Sequence, residues 1–243
     1  MKSVLILGAN STIGRDLAEI YSKKGYNLIL ASRNPERLEG VKNNVEIQFD
    51  IKCNLLHFDA EDVTNHKNFW NQIETPPEIS IILFGMLPNQ EKATSDNKLL
   101  LETIFVNYLG AVSILNIISR AYKAKKEGII IGVTSVAGLR GRSSNYIYGS
   151  AKSGLITYLS GLRNELYPYG VKVKTIIPGY MATKMTAELD LPKLLTMSSK
   201  AAALAIYKST YKKSDVFYIK KIWLVIMLII RLIPERVFKK MKL

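Results

Sequence analysis

Residues 2–21, KSVLILGANSTIGRDLAEIY, decide the fold. Val4–Leu7 is a continuous apolar run, the pattern of a strand buried on both faces of a parallel sheet. It enters Gly8-Ala9-Asn10-Ser11-Thr12-Ile13-Gly14, and beyond it Ile13, Leu17, Ala18, Ile20 and Tyr21 recur at helical spacing. A strand, a glycine turn and a helix start make a phosphate site, because unpaired N–H groups and the helix dipole point at the anion. The alternation continues along the chain. Asn27–Ser32, Leu55–Phe58, Ile79–Leu83, Ile129–Ser135, Val171–Ile177 and Val216–Ile219 read as strands. Pro35 to about Asp50, Asp62–Ile73, Lys98–Ala124, Asn145–Pro168 and Ser198–Tyr211 read as helices. This order predicts an α/β fold with a parallel, doubly wound sheet.

The chain has 243 residues, enough for one single-core domain. With 48% hydrophobic and 22% charged residues, the composition is that of a soluble globular protein. The lone Cys53 cannot form an internal disulfide, which fits a reducing cytoplasm. His57 and His66 have no cysteine or carboxylate cluster at ligand spacing, so no metal site is expected. Val4–Leu7 is too short for a signal peptide and runs into a glycine turn. The formal charge of +14 is uneven: residues 208–243 carry ten Lys or Arg against Asp215 and Glu235. The basic character is mostly a property of the tail.

A second stretch, Thr134–Lys152, TSVAGLRGRSSNYIYGSAK, carries candidate chemistry. Tyr148 follows Ser135 by thirteen residues and Lys152 follows Tyr148 by four. On a helix over 145–168, Tyr148 and Lys152 lie one turn apart on one face. Free tyrosine has a pKa of about 10. A lysine ammonium within reach is expected to lower it. Ser135, at the end of an apolar run, can donate a hydrogen bond to a substrate oxygen. Tyr146 is the rival tyrosine, but its partner four residues on is the uncharged Ser150. Taken alone, a Tyr and a Lys four apart read more often as a packed tyrosine and a surface lysine, so the rest of the chain decides.

Ser135, Tyr148 and Lys152 at this spacing, behind the glycine turn, resemble the core of the short-chain dehydrogenase/reductase family. The resemblance runs from Lys2 to about Ile219. It implies a Rossmann-type sheet in a single catalytic domain over 1–219 and reduction of a ketone to an alcohol, or the reverse, with a nicotinamide cofactor. It implies that Tyr148 transfers the proton, that Ser135 holds the substrate oxygen and that Lys152 tunes the tyrosine and bonds the cofactor ribose. Asn107, in IFVNYLGAV, would anchor a proton relay. The family holds its cofactor with positions matching Gly8, Asn10, Ser11, Thr12, Ile13 and Gly14 in the turn, and Asp59 and Ala60 beside the adenine. Gly85 follows the fourth strand, Pro178 and Gly179 lie over the nicotinamide, and Thr183 contacts its carboxamide. Met181–Leu195 would be a mobile cover over the substrate. The resemblance also implies a homo-oligomer.

The chain departs from the family at two places. Thr12 stands at the middle glycine of the turn. Ile82-Leu83-Phe84-Gly85 replaces Asn-Asn-Ala-Gly, so support there must come from packing. No carboxylate ends the second strand, where it would bond the ribose hydroxyls of NAD. Ser32 and Arg33, with Arg37 as a second cation, suit a 2′-phosphate, so NADP(H) is expected over NAD(H). Single positions keep other readings: Arg33 can cap a solvated loop, Asp59 can cap the helix that follows it, and Asn107 can be a buried amide bonding backbone. At the level of function the alternative is a member that has lost its chemistry and serves as a cofactor-sensing or scaffold protein.

Residues 220–243 form a distinct tail. Ile222–Ile230 is nine apolar residues between Lys220-Lys221 and Arg231. As a helix it spans about 14 Å against a hydrocarbon core of about 30 Å, so it cannot cross a bilayer alone. It can lie in the interface with Trp223 and the basic residues at the headgroups, or pack on its own domain or on a partner subunit. The first reading places a cytoplasmic protein peripherally on the inner face of the membrane. With its Leu232-Ile233-Pro234 and basic end, the tail resembles one branch of the family, reductases of 2-keto pentoses carried on polyprenyl phosphate in bacterial cell-envelope synthesis. Nucleic-acid binding is not expected, because apolar residues interrupt the charges and no recognition motif accompanies them.

Overall fold

A computed structural model describes residues 2–187 and 190–241, apart from the side chain of Lys184. In chain order the elements are β1 (Ser3–Leu7), α1 (Thr12–Ser22), β2 (Asn27–Ser32), α2 (Glu39–Phe49), β3 (Cys53–His57), α3 (His66–Asn71) and β4 (Ile79–Ile82). Then come α4 (Gln90–Ser95), α5 (Asn97–Ile104), α6 (Gly110–Lys125), β5 (Ile129–Val133), α7 (Tyr146–Leu166) and β6 (Lys172–Pro178). The last are β7 (Met181–Ala182), β8 (Met197–Ser198), α8 (Ser199–Thr210), β9 (Val216–Ile219), α9 (Ile222–Leu232) and α10 (Glu235–Phe238). Seven parallel strands form one sheet in the order β3-β2-β1-β4-β5-β6-β9. The direction of winding reverses between β1 and β4, and the crevice beyond the strand ends at such a reversal is where ligands bind in open α/β sheets.

The strand pattern explains the two cores. Side chains alternate faces along a strand. Val4 and Ile6 pack with Ile13, Leu17 and Tyr21 of α1 and Ala202, Ala203 and Ile206 of α8. Leu5 and Leu7 point the other way, with Ile114, Leu115 and Ile118 of α6 and Leu155, Leu159 and Leu162 of α7. Both faces are covered, so the strands read as apolar runs. The 97–125 helical run is long and apolar enough to cross a membrane, but Ala111, Ile114, Leu115, Ile118 and Tyr122 bury its apolar face against the sheet.

Some boundaries differ from expectation. The helix expected over 62–73 covers only His66–Asn71, and Asp59 does not cap it. The Asp59 carboxylate instead accepts the Glu61 N–H at 3.0 Å, a local turn that satisfies the backbone before the helix starts. The helix expected over 98–124 is interrupted by a π turn at Phe105–Leu109. Trp223 does not lie on the outer surface of the tail. It is 3% exposed, packed with Met227 against Val136, Ile177 and Tyr180, so the inner face of α9 belongs to the domain. Arg140 fastens the far end of the tail, donating to the Ile233 carbonyl at 3.3 Å, pairing with Glu235 at 2.7 Å and stacking over Phe238.

Candidate active site

The glycine turn is built by two close approaches. Gly8 has φ +91°, and a Cβ there would meet the Phe84 backbone nitrogen at 2.7 Å. A Cβ on Gly14 would lie 2.7 Å from the Ala9 carbonyl oxygen. Thr12 opens α1 without a positive φ, so the missing middle glycine carries no backbone strain. Ser11 is the helix cap: its Oγ accepts the Gly14 N–H at 3.0 Å.

Two cavities meet at this turn. The outer one, about 310 Å³, is walled by Gly8, Asn10, Ser11, Ser32, Arg33, Asn34, Arg37, Asp59, Ala60 and Gly85, among others. The inner one, about 130 Å³, is walled by Ser11, Thr12, Ile13, Gly85, Thr134, Tyr148, Lys152, Met181, Thr183 and Met185, among others. Ser11, Leu83, Phe84, Gly85 and Met185 belong to both walls, so the cavities form one elongated cleft. An elongated cleft with cations at one end, a glycine turn at its waist and a tyrosine–lysine pair at the other suits a phosphorylated dinucleotide.

Hydrogen bonds fix the outer end. Asn10 Nδ2 donates to Ser32 Oγ at 2.8 Å and to the Asn34 carbonyl at 2.7 Å. Arg15 donates to Asn10 Oδ1 at 3.0 Å and to the Arg37 carbonyl at 2.8 Å. The turn after β1 and the loop after β2 are thereby locked together. Arg33 stays mostly exposed, with Glu61 at 4.0 Å. His66 holds the Asp59 backbone: its Nε2 lies 2.9 Å from the Asp59 carbonyl and its Nδ1 2.9 Å from Ser113 Oγ. Burial lowers the His66 pKa, which favours the neutral ring donating from Nε2 to the carbonyl and accepting from the serine at Nδ1.

The inner end gathers the tyrosine and the lysine in its wall, and Thr134 rather than the expected Ser135 lines it. Ser135 lies near enough to the Tyr148 phenol to favour its ionised form, and Ser135 Oγ accepts the Ala137 N–H at 3.1 Å. Lys152 is 4% exposed, with its Nζ 5.8 Å from the centroid of the Tyr148 ring. Asn107 is buried in the π turn, a feature frequent at functional sites. Its Nδ2 donates to the Met86 and Thr103 carbonyls at 2.8 and 2.9 Å, and its Oδ1 accepts the Met86 N–H at 3.2 Å. Across Gly85 it faces Lys152: a Cβ on Gly85 would lie 2.8 Å from Asn107 Oδ1 and 3.1 Å from Lys152 Nζ. Tyr146 points elsewhere, its hydroxyl 3.2 Å from Thr94 Oγ1.

The electrostatics correct one expectation. Burial pushes the Tyr148 phenol up to about 12, with the neighbouring Ser135 hydroxyl acting in the opposite sense. Burial pulls Lys152 down to about 8. The lysine alone does not acidify the tyrosine, because both groups are desolvated and desolvation disfavours the charged form of each. At neutral pH the phenol carries its proton.

Pro178 ends β6 and Gly179 follows it; neither lines either cavity, and the Trp223 indole packs on Gly179. The hydroxyls of Thr183 and Thr186 lie 3.4 Å apart, and the Thr183 N–H donates to Thr186 Oγ1 at 3.3 Å. The stretch expected to cover the substrate includes residues 188 and 189, which lie outside the described residues. Arg15, Asn34, Phe84 and Met185 were not singled out from the sequence. Their roles arise from contacts between distant segments, for which the local pattern carries no signal.

Comparison with known proteins agrees with this fold. The family model for short chain dehydrogenase matches residues 2–193. An uncharacterised oxidoreductase of Mycobacterium tuberculosis is 29% identical over 241 residues, covering 98% of this chain and 96% of that protein. A 3-oxoacyl-[acyl-carrier-protein] reductase of Mycobacterium avium is 28% identical over 194 residues, covering 78% and 71%. Among solved structures, a short-chain dehydrogenase from Sphingobium yanoikuyae in complex with NADPH superposes with a TM-score of 0.82 at 20% identity, covering 97% of each chain.

Proposed function

This chain belongs to the short-chain dehydrogenase/reductase family of oxidoreductases, and from that premise we propose that it reduces a ketone to an alcohol, or runs the reverse, with NADP(H). The observation that carries this reading is Tyr148 and Lys152 together in the wall of the inner cavity, with Lys152 Nζ 5.8 Å from the centroid of the Tyr148 ring. When bound, the reduced nicotinamide supplies a hydride to the carbonyl carbon. Ser135 holds the carbonyl oxygen and Tyr148 donates its proton to it. Because burial keeps the phenol protonated at neutral pH, the acid is loaded for reduction. Lys152 stabilises the tyrosinate as it forms, and Asn107 fixes the Met86 backbone behind the lysine. Gly8 and Ser11 give the cofactor phosphates a close backbone approach, Gly14 lets α1 start against the turn, and Asp59 and Ala60 flank the adenine.

Turnover of NADPH against a panel of ketones and keto-sugars tests the reading. Cofactor binding without turnover on any carbonyl favours the sensing or scaffold alternative instead. The 2′-phosphate is assigned to Ser32, Arg33 and Arg37. Arg33→Ala should reduce the preference for NADPH over NADH roughly tenfold, the worth of a charge-assisted hydrogen bond at an exposed site. An unchanged ratio in titrations of both cofactors moves the phosphate to other residues.

The same reading puts the enzyme on the inner face of an anionic membrane through the outer face of α9 and α10. Leu224, Val225, Leu228, Ile229 and Leu232 are 50–73% exposed there. Lys221, Arg231, Arg236, Lys239 and Lys240 flank them. Basic residues near an anionic leaflet contribute about 1 kcal/mol each and fade with salt. Apolar burial fades less. Replacing Leu228 and Ile229 together by Ser should weaken partitioning onto anionic vesicles by at least about tenfold. Equal co-sedimentation of this variant and the parent removes the membrane role. The narrower form of the substrate, a keto-sugar on polyprenyl phosphate for the cell envelope, rests on the likeness of the tail alone and is decided by including lipid-linked keto-sugars in the panel. Homo-oligomer formation is part of the same reading and is read by sedimentation.

A further inference from the structure

The inner face of α9 touches both ends of the stretch that walls the inner cavity. At the first end, the Trp223 indole occupies the space beside Gly179 so closely that a Cβ there would lie 1.9 Å from Trp223 Nε1. The indole also meets the Tyr180 ring edge-on at 5.0 Å. At the second end, Trp223 Nε1 donates to the Leu195 carbonyl at 3.2 Å. One turn earlier, Lys220 Nζ donates to the Leu194 carbonyl and, at 3.1 Å, to the Thr196 carbonyl. Lys220 itself has φ +63°, a left-handed conformation that a lysine keeps only where its surroundings over-determine it. Between the two ends lie Met181, Thr183 and Met185, all in the wall of the inner cavity. Trp223 also packs on Val136, the neighbour of Ser135.

We infer that Trp223 and Lys220 form a clip that ties Gly179–Tyr180 to Leu194–Thr196, and that Trp223 is a positioning residue for hydride and proton transfer. The inference rests on the proposed carbonyl chemistry for its catalytic consequence, but the clip itself does not. Without the indole, the turn after β6 loses its packing partner and the wall carrying Met181 and Thr183 loses its fixed distance from Tyr148. A misplacement of about 1 Å costs on the order of a hundredfold in rate. The outer cavity, which holds the adenosine end, is built without α9.

Two measurements on the full chain test this, without lipid. Hydrogen exchange of Trp223→Ala and Lys220→Met should be faster in peptides covering 180–187 and 190–196, and unchanged in β1 and β4. With NADPH and a soluble ketone, Trp223→Ala should lower kcat/KM by about a hundredfold and raise the primary deuterium isotope effect from labelled NADPH, because hydride transfer becomes the slow step. The NADPH Kd should stay within about threefold, since the adenosine contacts are untouched. Trp223→Phe, which keeps a ring on Gly179, should recover most of the activity. Lys220→Met leaves the apolar packing in place and guards against a Trp223→Ala chain that does not fold. Parental exchange in both ends of the stretch for Lys220→Met overturns the clip. Faster exchange with parental kcat/KM and isotope effect overturns the positioning role. A parent protein inactive on every carbonyl overturns the proposed function and leaves the exchange result to judge the clip.

Discussion

Tyr148→Phe is expected to lower kcat for carbonyl reduction by about a thousandfold, while the NADPH Kd stays within about threefold of the parent. The substitution removes one oxygen and little volume, so the ring keeps its place in the wall of the inner cavity. What disappears is the hydroxyl that the wall of the inner cavity offers beside Lys152. Tyr146→Phe should retain activity, because that hydroxyl faces Thr94 at the surface. The pH profile separates the two directions of the reaction. Reduction needs the protonated phenol, and a pKa pushed up to about 12 keeps it protonated through the neutral range, so the rate of reduction should be flat there. Oxidation needs the tyrosinate, whose fraction grows as pH rises towards that value, so oxidation should climb with pH. Lys152, lowered to about 8, works against this climb above its own pKa, since the neutral amine no longer stabilises the tyrosinate. Stopped-flow reduction at saturating NADPH from pH 6 to about 7.5, below the Lys152 value, measures the first limb, and steady-state oxidation the second. Equal kcat in Tyr148→Phe and the parent would sink the assigned proton donor.

The same residues show what a sequence carries and what it does not. The apolar runs that become β1, β4 and β5 were legible because both faces of each strand are buried, whereas β6 alternates Lys172 and Lys174 with apolar residues and yet buries Lys174. The glycine turn was legible because Gly8 and Gly14 each face another backbone atom at a distance no side chain tolerates. The spacing of Ser135, Tyr148 and Lys152 was legible as a resemblance. The sign of the tyrosine shift was not, because it depends on how much water reaches the pair. Sequence places Lys152 one turn from Tyr148, whereas only burial tells that desolvation outweighs the attraction. The tail was half legible. Its composition gave the apolar helix and the basic rim, but the inward direction of Trp223 is set by Gly179, forty-four positions earlier. That contact also changes the meaning of a truncation. Removing the chain after Ile219 takes away the clip together with the outer face, so it should reduce activity on soluble ketones as well as on lipid-linked ones. Outer-face substitutions at Leu228 and Ile229 isolate the membrane contribution, since neither side chain is buried.

Gly85→Ala should reduce kcat by about a hundredfold in a protein that still folds and still binds NADPH. Gly85 is the one residue kept from the family pattern after the fourth strand, and its φ is not of the left-handed kind, so backbone strain is not the reason. Space is the reason. The added methyl would lie 2.8 Å from Asn107 Oδ1 and 3.1 Å from Lys152 Nζ. One neighbour must yield. Asn107 is buried and tied by three hydrogen bonds to Met86 and Thr103, so moving it leaves backbone groups unpaired. Lys152 presents only the end of a flexible chain, so the lysine gives way and leaves its place behind Tyr148. A displaced ammonium that regains water should titrate above the parent value of about 8, moving the lysine limb of the oxidation profile to higher pH. The loss should fall on kcat more than on the NADPH Kd, because the outer cavity is held by Asn10, Arg15 and the loop after β2. A folded Gly85→Ala enzyme with parental kcat and an unshifted profile would show that the position of Lys152 does not govern the proton transfer, and the role given to Asn107 behind it would fall with it.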